Sequence, residues 1–161
     1  MTLTRTAKQK VRPNVFNRIA NGLLVLSVVF SPVLAVAATP EEAKALLNEA
    51  VAFYETNGKE ETFTEINNPN GKFVRGELYI FVYDSEAIIA AHGADSSLIG
   101  TSMMNEPDEN GKFYAKEIMQ VGESGGSVDY VWLNPVTGTI QPKTSYIMLV
   151  DGFRFGCGVY K

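Results

Sequence analysis

The sequence predicts one α+β domain, a leading helix followed by an antiparallel sheet. Three observations predict it. A capped stretch with helical periodicity stands at residues 39–54. Five strand-like runs follow residue 76. The turns between several successive runs are too short for the crossover that parallel strands require.

A segment of another kind precedes the domain. Arg5, Lys8, Lys10, Arg12 and Arg18 give a basic start without an acidic residue. An apolar run over residues 23–34 follows, broken by Ser27, Ser31 and Pro32, and ends in Ala35-Val36-Ala37. Basic start, short apolar middle and small-residue end predict a secretory signal cut after Ala37, the bond after Ala38 being the neighbouring option. The run is shorter than the ~20 apolar residues of a spanning helix, and Pro32 interrupts it. Without an Arg-Arg pair, the general secretion route is expected. The expected organisation is a signal peptide at 1–37 and a domain at 38–161, periplasmic or secreted. If the signal segment were retained, it would be a single N-terminal membrane tether.

The domain is long enough for a core of its own. It holds all 18 acidic residues and nine of the 14 basic ones, a net charge of −9. That balance argues against nucleic acid and anionic membranes, but allows a small anion beside a local cation. Cys157 is the only cysteine, so neither an internal disulfide nor a cysteine zinc cluster can form. It is expected to be buried in a strand as a small hydrophobe.

Thr39-Pro40-Glu41-Glu42 combines an N-cap, a first-turn proline and a capping-box glutamate. Ala43, Leu46, Leu47, Ala50, Val51 and Tyr54 then share one helical face. Asn57-Gly58 should end the helix, with a second helical piece at 59–66. Residues 77–83 alternate Leu78, Ile80 and Val82 with Tyr79, Phe81 and Tyr83; both faces are apolar, as in a central strand. A second strand is expected at 87–92, a long polar segment at 93–111 and a short helix at 112–121. Further strands are expected at 127–133, 141–150 and 153–160, joined by the Asn134–Gly138 hairpin loop and the Asp151-Gly152 turn.

Few catalytic constellations are open to this chain. It has one histidine, no G-x-S-x-G elbow and no Gly-rich phosphate loop. No enzyme activity, cofactor or metal is expected. Asp108-Glu109-Asn110-Gly111 has the composition of a calcium loop but not its ligand spacing, and reads as a solvated turn. Strand alternation puts Tyr130 with Trp132, and Lys143 with Ser145, on single faces of paired strands. His92 ends the second strand. If those faces coincide, aromatic walls and a few donors converge on one concavity, the usual make-up of a small-molecule pocket. A lysine buried there requires an anion, which a ligand carboxylate would supply.

The ordered set Glu77-Leu-Tyr-Ile-Phe-Val-Tyr-Asp84, Ile89-Ala-Ala-His92, Leu98-Ile-Gly100, Gly111-Lys112, Val128-Asp-Tyr-Val-Trp132, Asn134-Pro-Val-Thr-Gly138, Pro142-Lys-Thr-Ser-Tyr146 and Gly156-Cys-Gly-Val-Tyr160 resembles the single Cache sensor domains of bacteria. These are extracytoplasmic modules of chemoreceptors and sensor kinases. The resemblance spans residues 43–160. It implies a PAS-like fold, with a long N-terminal helix on a five- or six-stranded antiparallel sheet. It also implies a pocket for short organic acids such as acetate, propionate, pyruvate or lactate. By position, Tyr130, Trp132 and Lys143 match the family's aromatic–aromatic–lysine pattern, and His92 matches its histidine. Tyr79 and Phe81 would share the sheet face, with Ser145 beside Lys143. Tyr146 also matches but has the opposite strand parity. Val131 stands where many members carry arginine, and Cys157 where a small apolar residue is usual.

The expectation is therefore an exported, non-catalytic module that binds a small organic anion. A membrane receptor, transporter or sensor kinase would be its partner, and a homodimer is left open. The alternative is a docking or dimerisation module of the same fold with a filled core.

Overall fold

Thr39 opens the first helix in the way its sequence dictates. Its hydroxyl accepts the Glu42 N–H (3.2 Å), and the Glu42 carboxylate accepts the Thr39 N–H (2.7 Å). The computed structural model describes residues 37–161, so the expected signal segment lies, except for Ala37, outside the described residues. Helix α1 runs Pro40–Ile66 and buries Ala43, Leu46, Leu47, Ala50, Val51 and Tyr54, the face its spacing predicts. At Gly58 the backbone leaves helical geometry (φ 78°, ψ 179°), a conformation that favours glycine, and helix resumes after it.

The strands are β1 (Val74–Arg75), β2 (Leu78–Tyr83), β3 (Ile89–His92), β4 (Gly126–Leu133), β5 (Ile140–Val150) and β6 (Phe153–Tyr160). They form one antiparallel sheet in the order β1-β2-β6-β5-β4, with β3 also paired to β2. The last strand thus lies between the second and the fifth. All six residues of β2 are buried, as its two apolar faces predict.

Three expectations need correction. β1 has no counterpart among the predicted strands; two residues carry no periodicity. β3 begins at Ile89 rather than Ala87, because Ala87 turns through positive φ (58°) while the Asp84 carboxylate takes the N–H groups of Glu86 and Ile88. The second helix, α2, is only Tyr114–Met119, and its N-cap Phe113 has no side-chain capping bond.

Strand alternation divides the sheet into two faces. Leu78, Ile80, Val82, Phe155, Cys157 and Val159 pack under α1. Tyr79, Phe81, Tyr83, Tyr130, Ile147 and Tyr160 form the other face, beneath α2 and the segment that carries Ala87, Ile89 and Met103. Cys157 is fully buried, as expected. Among the described residues, no helix is long and apolar enough to cross a membrane.

Candidate functional site

The face away from α1 gathers the residues that the sequence singles out. Register pairs Lys143 on β5 with Tyr130 on β4 and with Tyr160 on β6. Lys143 is only 1% exposed. Its ammonium donates to the Tyr79 hydroxyl (2.8 Å) and lies 4.0 Å from the Tyr79 ring centroid and 4.8 Å from that of Tyr160. Among the described residues, the ion pairs are Arg75–Glu49, Lys112–Glu117 and Lys161–Asp129; none involves Lys143. Burial pulls the ammonium down to about 7, against weaker support for the charge from Cys157 and Glu77.

Tyr79 continues the network. Its hydroxyl pairs with that of Tyr160 (3.3 Å), which donates to the Leu133 carbonyl (2.8 Å). Burial raises the Tyr79 phenol well above its ordinary value, so it remains protonated. His92 packs against Tyr79 at 4.9 Å between ring centroids. Its Nδ1 accepts the Asp95 N–H (2.9 Å), so in the neutral ring the proton sits on Nε2 as a donor. Burial first, and then the Lys143 charge, lower His92 to about 3, partly opposed by Asp95; the ring is neutral at physiological pH.

A cavity of about 430 Å3 opens here, lined by Tyr79, His92, Ala94, Asp95, Leu98 and Trp132, with Leu133 and Pro135 at its side. Its size lies within the range of small-molecule sites. Tyr79, His92 and Trp132 line the cavity itself. Lys143 is one layer behind, screened by Tyr79. Phe81 lies beside His92 (6.4 Å between centroids). Tyr130 and Ser145 are bonded to each other (2.9 Å), and Tyr130 stacks on Tyr114 at 4.4 Å. These four share the face without lining the cavity. Tyr146 belongs to the opposite face, where the Lys44 ammonium sits 4.7 Å from its ring, as its parity predicts.

The sequence reading missed four contributors. Tyr160 and Tyr114 complete the aromatic shell. Gly156 and Gly158 alternate with the α1-facing residues of β6 and make room on the site face. A Cβ at Gly156 would fall 2.2 Å from the Phe81 ring, and one at Gly158 only 2.6 Å from Cε of Lys143. The signal was present as Gly-x-Gly-x-Tyr on a strand, which puts both glycines and Tyr160 on one face.

Asp108 corrects another expectation. It is buried rather than solvated, and its carboxylate accepts the N–H groups of Asn110, Lys112 and Val131. Burial alone would raise its pKa, but these backbone donors prevail and hold it below the ordinary carboxylate value. Among the described residues, no three His, Cys, Asp or Glu side chains converge on a metal position.

A helix-backed antiparallel sheet with a cavity on its other face defines a PAS-like sensor module. The chain belongs to the single Cache domain 2 family, whose profile it matches over residues 8–160. Single Cache domains are extracytoplasmic sensor modules of chemoreceptors and sensor kinases. The solved methyl-accepting chemotaxis protein of Vibrio parahaemolyticus RIMD 2210633 is similar at a TM-score of 0.63 and 22% identity, over 74% of this chain and 86% of that one. A Cache chemosensory domain solved to explain its carboxylic acid recognition is similar at 0.57 and 22%, over 74% and 86%. At such identities the likeness concerns the fold. The sensor histidine kinase MctS of Rhizobium johnstonii is 31% identical over 85 residues, 51% of this chain but 18% of the kinase.

Proposed function

We propose that this domain is an exported, non-catalytic binding module for a short organic acid anion such as acetate, propionate, pyruvate or lactate. The observation that carries the reading is Lys143, a fully buried ammonium with no acidic partner among the described residues. Burying a charge without a counter-ion is costly, and a ligand carboxylate would relieve it. The Nε2–H of His92 offers the first donor at the cavity wall, since the Tyr79 hydrogen is engaged by Tyr160, whose own hydrogen goes to Leu133. Trp132 and Leu98 supply apolar contact for a short carbon chain. For the carboxylate to reach Nζ, the Tyr79 hydroxyl must yield its place. The carboxylic acid recognition described for one structural neighbour agrees with this reading. The cavity beneath the 93–111 segment favours it over a docking module with a filled core.

The partner would be a membrane receptor, transporter or sensor kinase. Calorimetry and thermal shift with C2–C4 carboxylates test the proposal. Saturable binding by at least one, abolished in Lys143→Ala, is expected. Flat responses to all of them at millimolar concentration would remove this ligand class, and unchanged affinity in Lys143→Ala would remove the lysine from the site.

A further inference from the structure

Next to the Lys143–Tyr79–Tyr160 network, Glu77, whose charge reaches both Lys143 and Tyr160, makes a contact outside the sensor cavity. The backbone N–H of Ala38 donates to Oε1 of Glu77 (2.9 Å), a residue 39 positions away. The second carboxylate oxygen of Glu77 accepts from Nδ2 of Asn134 (3.0 Å). Asn134 is itself only 1% exposed and is fixed by Gln141 Oε1 (2.9 Å) and the Val136 N–H (2.9 Å). The Glu77 carboxylate is thus held in place and aimed at one backbone nitrogen. Among the described residues it has no cationic partner, since Arg75 pairs with Glu49 and Lys161 with Asp129.

We propose that export processing cuts this chain between Ala37 and Ala38, and that the α-ammonium so created is held as an ion pair by Glu77. A host signal peptidase would hydrolyse the bond with one water. The water oxygen joins the carbonyl carbon of Ala37 and gives the leader its carboxylate. The nitrogen of Ala38 leaves as an amine and is protonated to an ammonium. The neutral amide partner of Glu77 thereby becomes a charged one at the same position, and a charge-assisted bond replaces an ordinary one.

The geometry also chooses between the two bonds that the A-x-A pattern leaves open. Ala37 is exposed, whereas Ala38 is partly buried and packs against the core beneath α1. Among the described residues, cutting after Ala37 removes only that exposed alanine. Cutting after Ala38 would remove that packing and deprive Glu77 of its backbone donor. It would also turn the Thr39 nitrogen, a member of the capping box, into the terminus. A positive charge just ahead of a helix is disfavoured by the aligned peptide dipoles; a carboxylate brought from β2's approach offsets that penalty at Ala38. A cavity of about 390 Å3 borders Ala37, Ala38, Glu77 and Tyr160, leaving the other ammonium hydrogens access to water.

The test uses the full chain with its own leader, produced in an exporting bacterial host. Intact mass should give Ala38 as the first residue. The α-amine, followed by the pH dependence of its acylation, should titrate about one pH unit above the ordinary 7.7–8.0, making acylation about tenfold slower at pH 7. Glu77→Gln retains an acceptor for the Ala38 nitrogen and should return the amine to its ordinary value. A chain produced with one extra glycine before Ala38 should do the same, which separates the ion pair from any folding defect of the variant. A terminus at Thr39, a retained leader, or identical titration in wild type and Glu77→Gln would overturn the proposal.

Discussion

Replacing Lys143 by methionine removes the charge and keeps an unbranched stem of similar length. The unliganded domain should become more stable at neutral pH, against the usual direction for a buried residue. The magnitude follows from the displaced titration. The ammonium sits at about 7 in the fold, against 10.5 for a solvated lysine. At 1.36 kcal/mol per pH unit, keeping it charged below pH 7 costs on the order of 5 kcal/mol. Loss of the donor to Tyr79 returns about 1–2 kcal/mol, leaving a gain of about 3 kcal/mol for the variant. The sign of the pH dependence follows as well. Between about pH 7 and 10.5 the unfolded chain holds a proton that the folded chain has released, so wild-type stability rises with pH through that window. The lysine's own contribution is lowest, and level, below it, where His92, held down at about 3, adds a separate rise between about pH 3 and 6.5. From pH 7 to 8.5 the rise is about 2 kcal/mol. Above that range Cys157, pushed up by burial to about 12, contributes the opposite slope, so pH 7–8.5 isolates the lysine. Urea unfolding at pH 6, 7 and 8.5 measures both quantities. A methionine variant less stable than wild type at pH 6, or one that keeps the wild-type rise, would refute the reasoning.

Three further outcomes follow from the same geometry. A carboxylate that pairs with Lys143 must recharge it above pH 7, so affinity should fall by up to tenfold per pH unit from there to about pH 10; calorimetry in two buffers of different ionisation heat should register the uptake of a proton. Gly158→Ala places a Cβ 2.4 Å from Ser145 Oγ and 2.6 Å from Lys143 Cε; it should cost about 1–3 kcal/mol in urea unfolding and weaken any carboxylate binding. Asp108→Ala frees the N–H groups of Asn110, Lys112 and Val131 and should cost about 2 kcal/mol at pH 7. Because the wild-type carboxyl is held low, that deficit should shrink as pH falls through the carboxylate range, which denaturation at pH 3 and 7 would show.

Periodicity made the scaffold legible because one face per element is buried. The α1 stripe, the two-faced β2 and the parities of Lys143, Ser145 and Tyr146 all follow from 3.6-residue and two-residue repeats. What periodicity carries is direction, not depth. It put Lys143, Tyr130 and Ser145 on the site face, yet could not show that Tyr79 stands between Lys143 and the cavity. That depends on how far β2 and β5 are separated by β6, a long-range fact. The value of Gly156 and Gly158 was equally hidden. A glycine records only a missing side chain, and its role emerges once the Phe81 ring and the Lys143 stem are seen to occupy the vacated space. Asp108 was misread for a related reason. Its partners include Val131, 23 residues away, and a turn composition says nothing of such a bond.

The insertion of β6 between β2 and β5 gives the site a mechanical consequence under the proposed function. On β6, Tyr160 belongs to the cavity side, while Val159 and Cys157 pack beneath α1. A carboxylate that takes the Lys143 ammonium must displace the Tyr79 hydroxyl from it. That hydroxyl is also paired with Tyr160, which is anchored to the Leu133 carbonyl. The end of β6 is therefore the backbone common to the ligand network and the helix face, and Tyr160 is adjacent in sequence to a residue packed on that face. A sensor needs a ligand with unequal affinity for two arrangements of the protein. Here the two arrangements differ in one exchange, Tyr79 or a carboxylate on the Lys143 ammonium. The aromatic pair that the exchange disturbs is built into β2 and β6, the two strands whose other face packs beneath α1. Tyr160→Phe separates these roles. It leaves Lys143 and Tyr79 in place for binding but cuts the bonds to Tyr79 and Leu133. Ligand affinity retained, with ligand-induced change in hydrogen exchange along α1 lost, is the expected result; an undiminished response in α1 would exclude Tyr160 as the link.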